Sequence, residues 1–133
     1  MSALLDTHVW IWWLTPSSPL SRAERGALDQ LGASGGLALS AISLWEAQML
    51  HARRRLDLPV PFPDWLRRAA AHDVVTVLPI DVEVVLSLDG LPRTFPGDPA
   101  DRLIVATARA HDLPLATRDA RIRRSRAVKI WKP

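Results

Sequence analysis

An α/β domain, with a central mostly parallel sheet flanked by helices, is the architecture the sequence predicts. Three observations carry it. Short apolar runs alternate with helical stretches along the whole chain, the pattern of strand–helix–strand units. Pro, Gly, Ser and Asp punctuate nearly every junction. The 133 residues suit one domain, residues 1–133, that buries roughly two-thirds of its unfolded surface without staples.

Taken in order, residues 2–5 read as a buried strand, and Thr7 to Leu14 as a helix that Pro16 and Pro19 end. Ser21 to Leu31 is a second helix. Gly32 to Gly36 (GASGG) form a turn rather than a phosphate loop, because no Lys-Ser/Thr follows. LALS (37–40) is the second strand. Ser40 or Ser43 can cap a helix over 41–55, which runs out near Leu56 before Pro59, Pro61 and Pro63. The stretch 63–73 is helical, 74–80 a β-branched strand, 81–91 helical and 91–97 an irregular loop. DPADRLIVATARAHD (98–112) starts with Asp at an N-cap and Pro at the first helical position. LPLAT (113–117) is a strand, DARIRRS (119–125) a short helix and AVKIW (127–131) a last strand.

Composition excludes several chemistries. There is no Cys, so disulfides, thiolate zinc and cysteine nucleophiles are absent and a cytoplasmic location is expected. No apolar stretch approaches the roughly 20 residues of a membrane span, and the chain opens on a strand rather than a charged leader. Lys and Arg outnumber Asp and Glu by 17 to 14, and the basic side chains are nearly all Arg, suited to phosphate. Arg53, Arg54 and Arg55, and the run of Arg118, Arg121, Arg123, Arg124 and Arg126, are candidate phosphate contacts or simply solvated faces. His8, His51, His72 and His111 have no metal-ligand spacing and read as surface or packing residues.

The acids are distributed with more purpose. Ligands of a parallel α/β sheet bind outside the carboxyl ends of its strands, and Asp6 and Asp119 each follow a strand. Glu46 lies in the helix after LALS, and Asp98 and Asp101 in the first turn of the helix after FPG. Helix capping accounts for Asp6, Asp98 and Asp119 singly. It accounts for neither Glu46 in a second turn nor Asp101 three residues past a cap that Asp98 already supplies. Crowded carboxylates repel unless protons or cations neutralise them, and hard oxygen ligands suit Mg²⁺ or Mn²⁺.

These stretches, LLDTHVWIWWL, SAISLWEAQML, DPADRLIVATARAHDLPLATRD and the closing AVKIW, resemble in order the PIN-domain ribonucleases, and within them the VapC-type toxins of toxin–antitoxin pairs. The resemblance implies a PIN-like α/β/α sandwich and a Mg²⁺-dependent endoribonuclease, with Mn²⁺ as a substitute, that leaves 5′-phosphate and 3′-hydroxyl ends. The family's acidic quartet maps onto Asp6, Glu46, Asp101 and Asp119. Asp6 and Asp101 would be direct metal ligands, Asp119 a ligand directly or through water, and Glu46 the group that orients or deprotonates water. Asp98, in a DPxDR form, is a further ligand or a cap. Members with that form often carry His and Arg before it, where this chain has Pro96 and Gly97.

The resemblance also implies an RNA substrate, a homodimer and a VapB-type antitoxin covering the acidic site. Thr7 and Thr117 can hydrogen-bond the neighbouring carboxylates, although Thr beside a strand end is at least as often a local cap. Trp10, Trp12, Trp13 and Trp45 are expected as core and interface residues, and Trp12, Trp65 and Leu56 as exposed apolar candidates for a partner surface. The competing reading is a non-catalytic PIN-like module that binds RNA or protein.

Overall fold

The computed structural model describes every residue except Met1 and Ser17. Among these described residues four short strands, β1 (Ala3–Leu5), β2 (Leu37–Ser40), β3 (Thr76–Leu78) and β4 (Leu115–Ala116), form one all-parallel sheet in the order β3-β2-β1-β4. Seven helices among the same residues cover it: α1 (Thr7–Trp13), α2 (Arg22–Ala33), α3 (Ala41–Ala52), α4 (Phe62–Ala69), α5 (Val82–Asp89), α6 (Pro99–Ala110) and α7 (Ala120–Ser125).

Every residue of β1 and β2 is buried, as expected of central strands covered on both faces. Their side chains alternate between two cores. Leu5, Leu37 and Leu39 join Trp10 and Leu28 on one face. Leu4, Ala38 and Leu115 meet Ile104, Val105 and Ile122 of α6 and α7 on the other. In the first core the Trp10 indole donates to the Ala69 carbonyl at 2.9 Å and its ring lies 5.2 Å from that of Trp65. This contact places Trp65 at 5 % exposure, so it is a core residue and not the partner-surface residue expected. Trp12 and Leu56 are only partly buried, packed on the edge of the same core. Trp45 departs in the other direction, at 52 % exposure.

Helix ends follow their signals. Ser21 and Glu24 form a reciprocal capping box on α2, and Asp81 caps α5. Helix α3 stops at Ala52, short of the arginine run, because Arg54 adopts a left-handed conformation (φ 55°) and Arg55 N–H turns back to the Leu50 carbonyl at 2.9 Å. The expected final strand AVKIW contracts to a single parallel bridge, Leu115 to Ile130. Its partner β4 is only two residues long, leaving room for two flanking bonds: Leu115 N–H to Lys129 O and Trp131 N–H to Leu115 O.

The chain moves outward from β1 to β2 to β3, then returns across the sheet to β4 on the other side of β1. The carboxyl ends of β1 and β4 therefore flank the point where the winding direction reverses, the usual place for a crevice in such sheets.

Candidate active site

Five acids line one cleft of about 430 Å³ at that crevice: Asp6, Glu46, Asp98, Asp101 and Asp119. All the acids singled out in the sequence are thus brought together, from the starts of α1, α6 and α7 and the second turn of α3.

Asp6 stands at the N-cap position of α1 with extended backbone (φ −63°, ψ 152°), yet its side chain makes no capping hydrogen bond. Its Oδ2 instead accepts from the Thr117 hydroxyl at 2.6 Å. The residue is 7 % exposed, and among the described residues no Lys, Arg or His nitrogen pairs with it. Burial raises its pKa, and the Thr117 hydrogen bond opposes that rise. Capping therefore explains why the backbone turns at Asp6 but not why a carboxylate is there.

Asp98 and Asp119 do cap. Asp98 Oδ1 accepts from Asp101 N–H at 3.0 Å. Asp119 Oδ1 accepts from Arg121 N–H at 2.8 Å and Ile122 N–H at 3.3 Å, which leaves Oδ2 outside the cap. Thr117 Oγ1 also accepts from Asp119 N–H at 3.0 Å.

Glu46, half-buried in the second turn of α3, accepts from the Thr7 hydroxyl at 2.5 Å. Thr7 in turn lies 2.7 Å from Ser43 Oγ, so Ser43 donates to Thr7 and Thr7 to Glu46. The sequence suggested Ser43 only as a helix cap; its spacing of three from Glu46 puts both on one helix face. Burial raises the Glu46 pKa, and Asp6 and Asp98 add to it.

Asp101 shows the crowding most strongly. Burial, then the charges of Asp98, Asp6, Asp119 and Glu46, push its pKa up to about 7. Arg121 Nη2 lies 3.8 Å from Asp101 Oδ2 and 3.6 Å from Asp119 Oδ2, but its solvent-exposed position screens the attraction, and the acids' repulsion prevails.

Of the flagged arginines, Arg118 and Arg121 line the cleft. Arg118 is paired with Glu24. Arg123 is structural, donating from Nε and Nη2 to the Thr117 carbonyl at 3.0 and 2.8 Å. His8, read from the sequence as ordinary surface or packing, also borders the cleft, its ring 5.7 Å from that of Trp12.

The donor set is one of hard oxygens, and the repulsion among them is what a divalent cation relieves. Among the described residues no three acids or imidazoles already form a closed cage, so binding a cation requires these side chains to draw inward.

Fold and rim together define a class: an α/β/α domain that gathers carboxylates around a cleft at the winding reversal of a parallel sheet. The comparisons agree. A family model described as PIN domain matches residues 3–127. Ribonuclease VapC22 of Mycobacterium tuberculosis is 39 % identical over 133 residues, covering 98 % of each chain. A chain in the crystal structure of FitAcB from Neisseria gonorrhoeae superimposes with a TM-score of 0.71 at 24 % identity, over 98 % of this chain and 96 % of that one. A chain in the structure of VapBC2 from Rickettsia felis bound to a promoter DNA fragment gives 0.72 at 16 % identity, over 98 % of each. The protein belongs to the PIN-domain family and, within it, to the VapC-type ribonucleases.

Proposed function

We propose that residues 1–133 act as one catalytic unit, a Mg²⁺-dependent endoribonuclease and the toxin of a VapBC-type pair, with Asp6, Asp101, Asp119 and Glu46 as its working acids. The observation that carries this is Asp6: a buried carboxylate that caps nothing, has no cationic partner among the described residues and is held beside other acids whose charges repel it. Such a group is costly unless a cation compensates it in the working state.

Asp6, Asp101 and Asp119 would hold Mg²⁺, with Mn²⁺ as substitute and Asp98 able to join. A divalent ion there supplies an acidified water and charge relief on the phosphate. The chain's own part is positional. Thr117 fixes the Asp6 carboxylate, and the Ser43–Thr7 relay fixes Glu46, which orients a water and takes its proton. The water oxygen bonds to phosphorus, the bond from phosphorus to the 3′-oxygen breaks, and that oxygen leaves with a proton. The ends are a 5′-phosphate and a 3′-hydroxyl.

A solved structure of similar fold, from Klebsiella pneumoniae, is a toxin–antitoxin complex, which supports a VapB-type antitoxin as partner here. No helix among the described residues is long and apolar enough to cross a membrane. An apolar patch on α5 and the turn before it, Ile80, Val82, Val85 and Leu86, all exposed, supports a homodimer through that helix.

The test is cleavage of total RNA, including tRNA and rRNA, by purified protein with Mg²⁺, Mn²⁺ or EDTA, beside Asp6→Asn and Asp101→Asn variants checked by circular dichroism. Metal-dependent cleavage that vanishes in folded variants is expected. Metal-independent cleavage, or folded variants as active as wild type, would overturn the assignment of the acids. An inert protein that still binds RNA would favour the non-catalytic module.

A further inference from the structure

Of the arginines the sequence offers, one is placed differently from the rest. Arg121 sits in the first turn of α7, directly after the Asp119 cap. Its backbone N–H is bound to Asp119 Oδ1 at 2.8 Å while its guanidinium reaches round to 3.6 Å from Oδ2 of the same carboxylate and 3.8 Å from Asp101 Oδ2. Among the described residues no hydrogen bond fixes that guanidinium, and the side chain is 59 % exposed at the cleft mouth. Other nearby cations are engaged elsewhere: Arg118 with Glu24, Arg123 with the Thr117 carbonyl.

We infer that Arg121 is a catalytic residue that alternates between two anions: it is a loose counter-ion to Asp101 and Asp119 while the cleft is free of cation, and a clamp on the scissile phosphate once the cleft is loaded. The inference rests on the nuclease reading above and goes beyond it by assigning the substrate's positive partner to this chain.

The physical grounds are separation and chemistry. At 3.6 and 3.8 Å the guanidinium is attracted to both acids but hydrogen-bonded to neither, so little holds it when their charge is neutralised. A planar guanidinium then finds in a phosphodiester the two-oxygen partner it fits best, with bidentate geometry that an ammonium lacks. Negative charge spread over the non-bridging oxygens as the bond to the 3′-oxygen breaks is what such a group stabilises. The backbone bond from Arg121 to Asp119 anchors the Cα beside the reacting centre in both states, so only the side chain moves.

Arg121→Ala and Arg121→Lys, each checked for folding, separate the possibilities through two readouts. The first is steady-state RNA cleavage at saturating Mg²⁺: kcat is expected to fall at least about 100-fold in the Ala variant, with Lys recovering only part because it lacks the bidentate fork. The second is Mn²⁺ binding without RNA, followed by electron paramagnetic resonance. Losing a competing cation from the acids is expected to tighten Mn²⁺ several-fold in the Ala variant. A kcat within threefold of wild type would sink the clamp while leaving the nuclease intact. Weaker Mn²⁺ binding in the Ala variant would make Arg121 an organiser of the acids and overturn the two-anion role. A wild type that binds Mn²⁺ but cleaves no RNA would remove the nuclease reading itself, and the clamp with it.

Discussion

The Thr117 hydroxyl donates to Asp6 Oδ2 at 2.6 Å while its oxygen accepts the Asp119 N–H at 3.0 Å, so one side chain ties together acids far apart in sequence. Thr117→Val keeps the shape and removes both bonds. Since the Thr117 bond lowers the Asp6 pKa, its loss raises that pKa further, and kcat/KM is expected to drop roughly 10- to 100-fold. Thr117→Ser should restore most of it. Equal activity in the Val and Ser variants would refute the tie.

Asp101 makes the cation-free protein sensitive to alkali. Its pKa rises on folding from 3.8 to about 7, so the native state favours the protonated form. The associated stability is present in full below about pH 4 and is lost as pH rises through about 7. Asp101→Asn mimics the protonated state. In EDTA at pH 8 the variant is expected to melt a few degrees above wild type, with the gap closing toward pH 4 and narrowing at pH 8 when Mg²⁺ is added. Thermal melts across this range check the sign, and a variant less stable at pH 8 would reverse it.

On the proposed metal role, the same group is expected to tune cation affinity. With a pKa of about 7, Asp101 is about one-tenth ionised at pH 6 and about nine-tenths ionised at pH 8. Mn²⁺ should therefore bind about tenfold more weakly at pH 6 than at pH 8. Titrations at the two pH values, repeated with Asp101→Asn, would show whether the variant flattens the curve.

Trp10 anchors the core beneath α1. Trp10→Phe leaves the buried Ala69 carbonyl without its indole donor and opens space beside Trp65. The loss is expected to be about 2 kcal/mol, read as a lower urea midpoint with an unchanged slope.

On α5, Val82 is 71 % and Leu86 59 % exposed. Leu86→Glu should convert a dimer into a monomer by light scattering without disturbing the circular dichroism spectrum. A wild type that is monomeric at micromolar concentration would rule this surface out.

Local patterning made most of the elements legible. The apolar runs around Leu4 and Leu39 and the Asp-Pro start of α6 need no distant partner to be recognised. The final strand was not legible in length, since its pairing depends on the two residues of β4 rather than on its own β-branched content. The acids were legible as a group because capping left Glu46 and Asp101 over. What distinguishes Asp6 from Asp98 and Asp119 was hidden: all three sit at helix starts, and only the direction of the side chain shows that Asp6 does not cap. Trp65 departs from its sequence pattern for a similar reason. A tryptophan between Asp64 and Arg67 looks exposed in sequence, but the helical turn points it at Trp10.

The position of β1 has a consequence for how the molecule comes into being. The central strand β1 is synthesised well before its neighbour β4. Asp6 meets Thr117 only across a gap of 111 residues. A growing polypeptide on the ribosome therefore carries Asp6 and Glu46 long before it has Asp119 or the hydroxyl that holds Asp6 in place. Translation that stops before Thr117 yields fragments in which that cleft is incomplete.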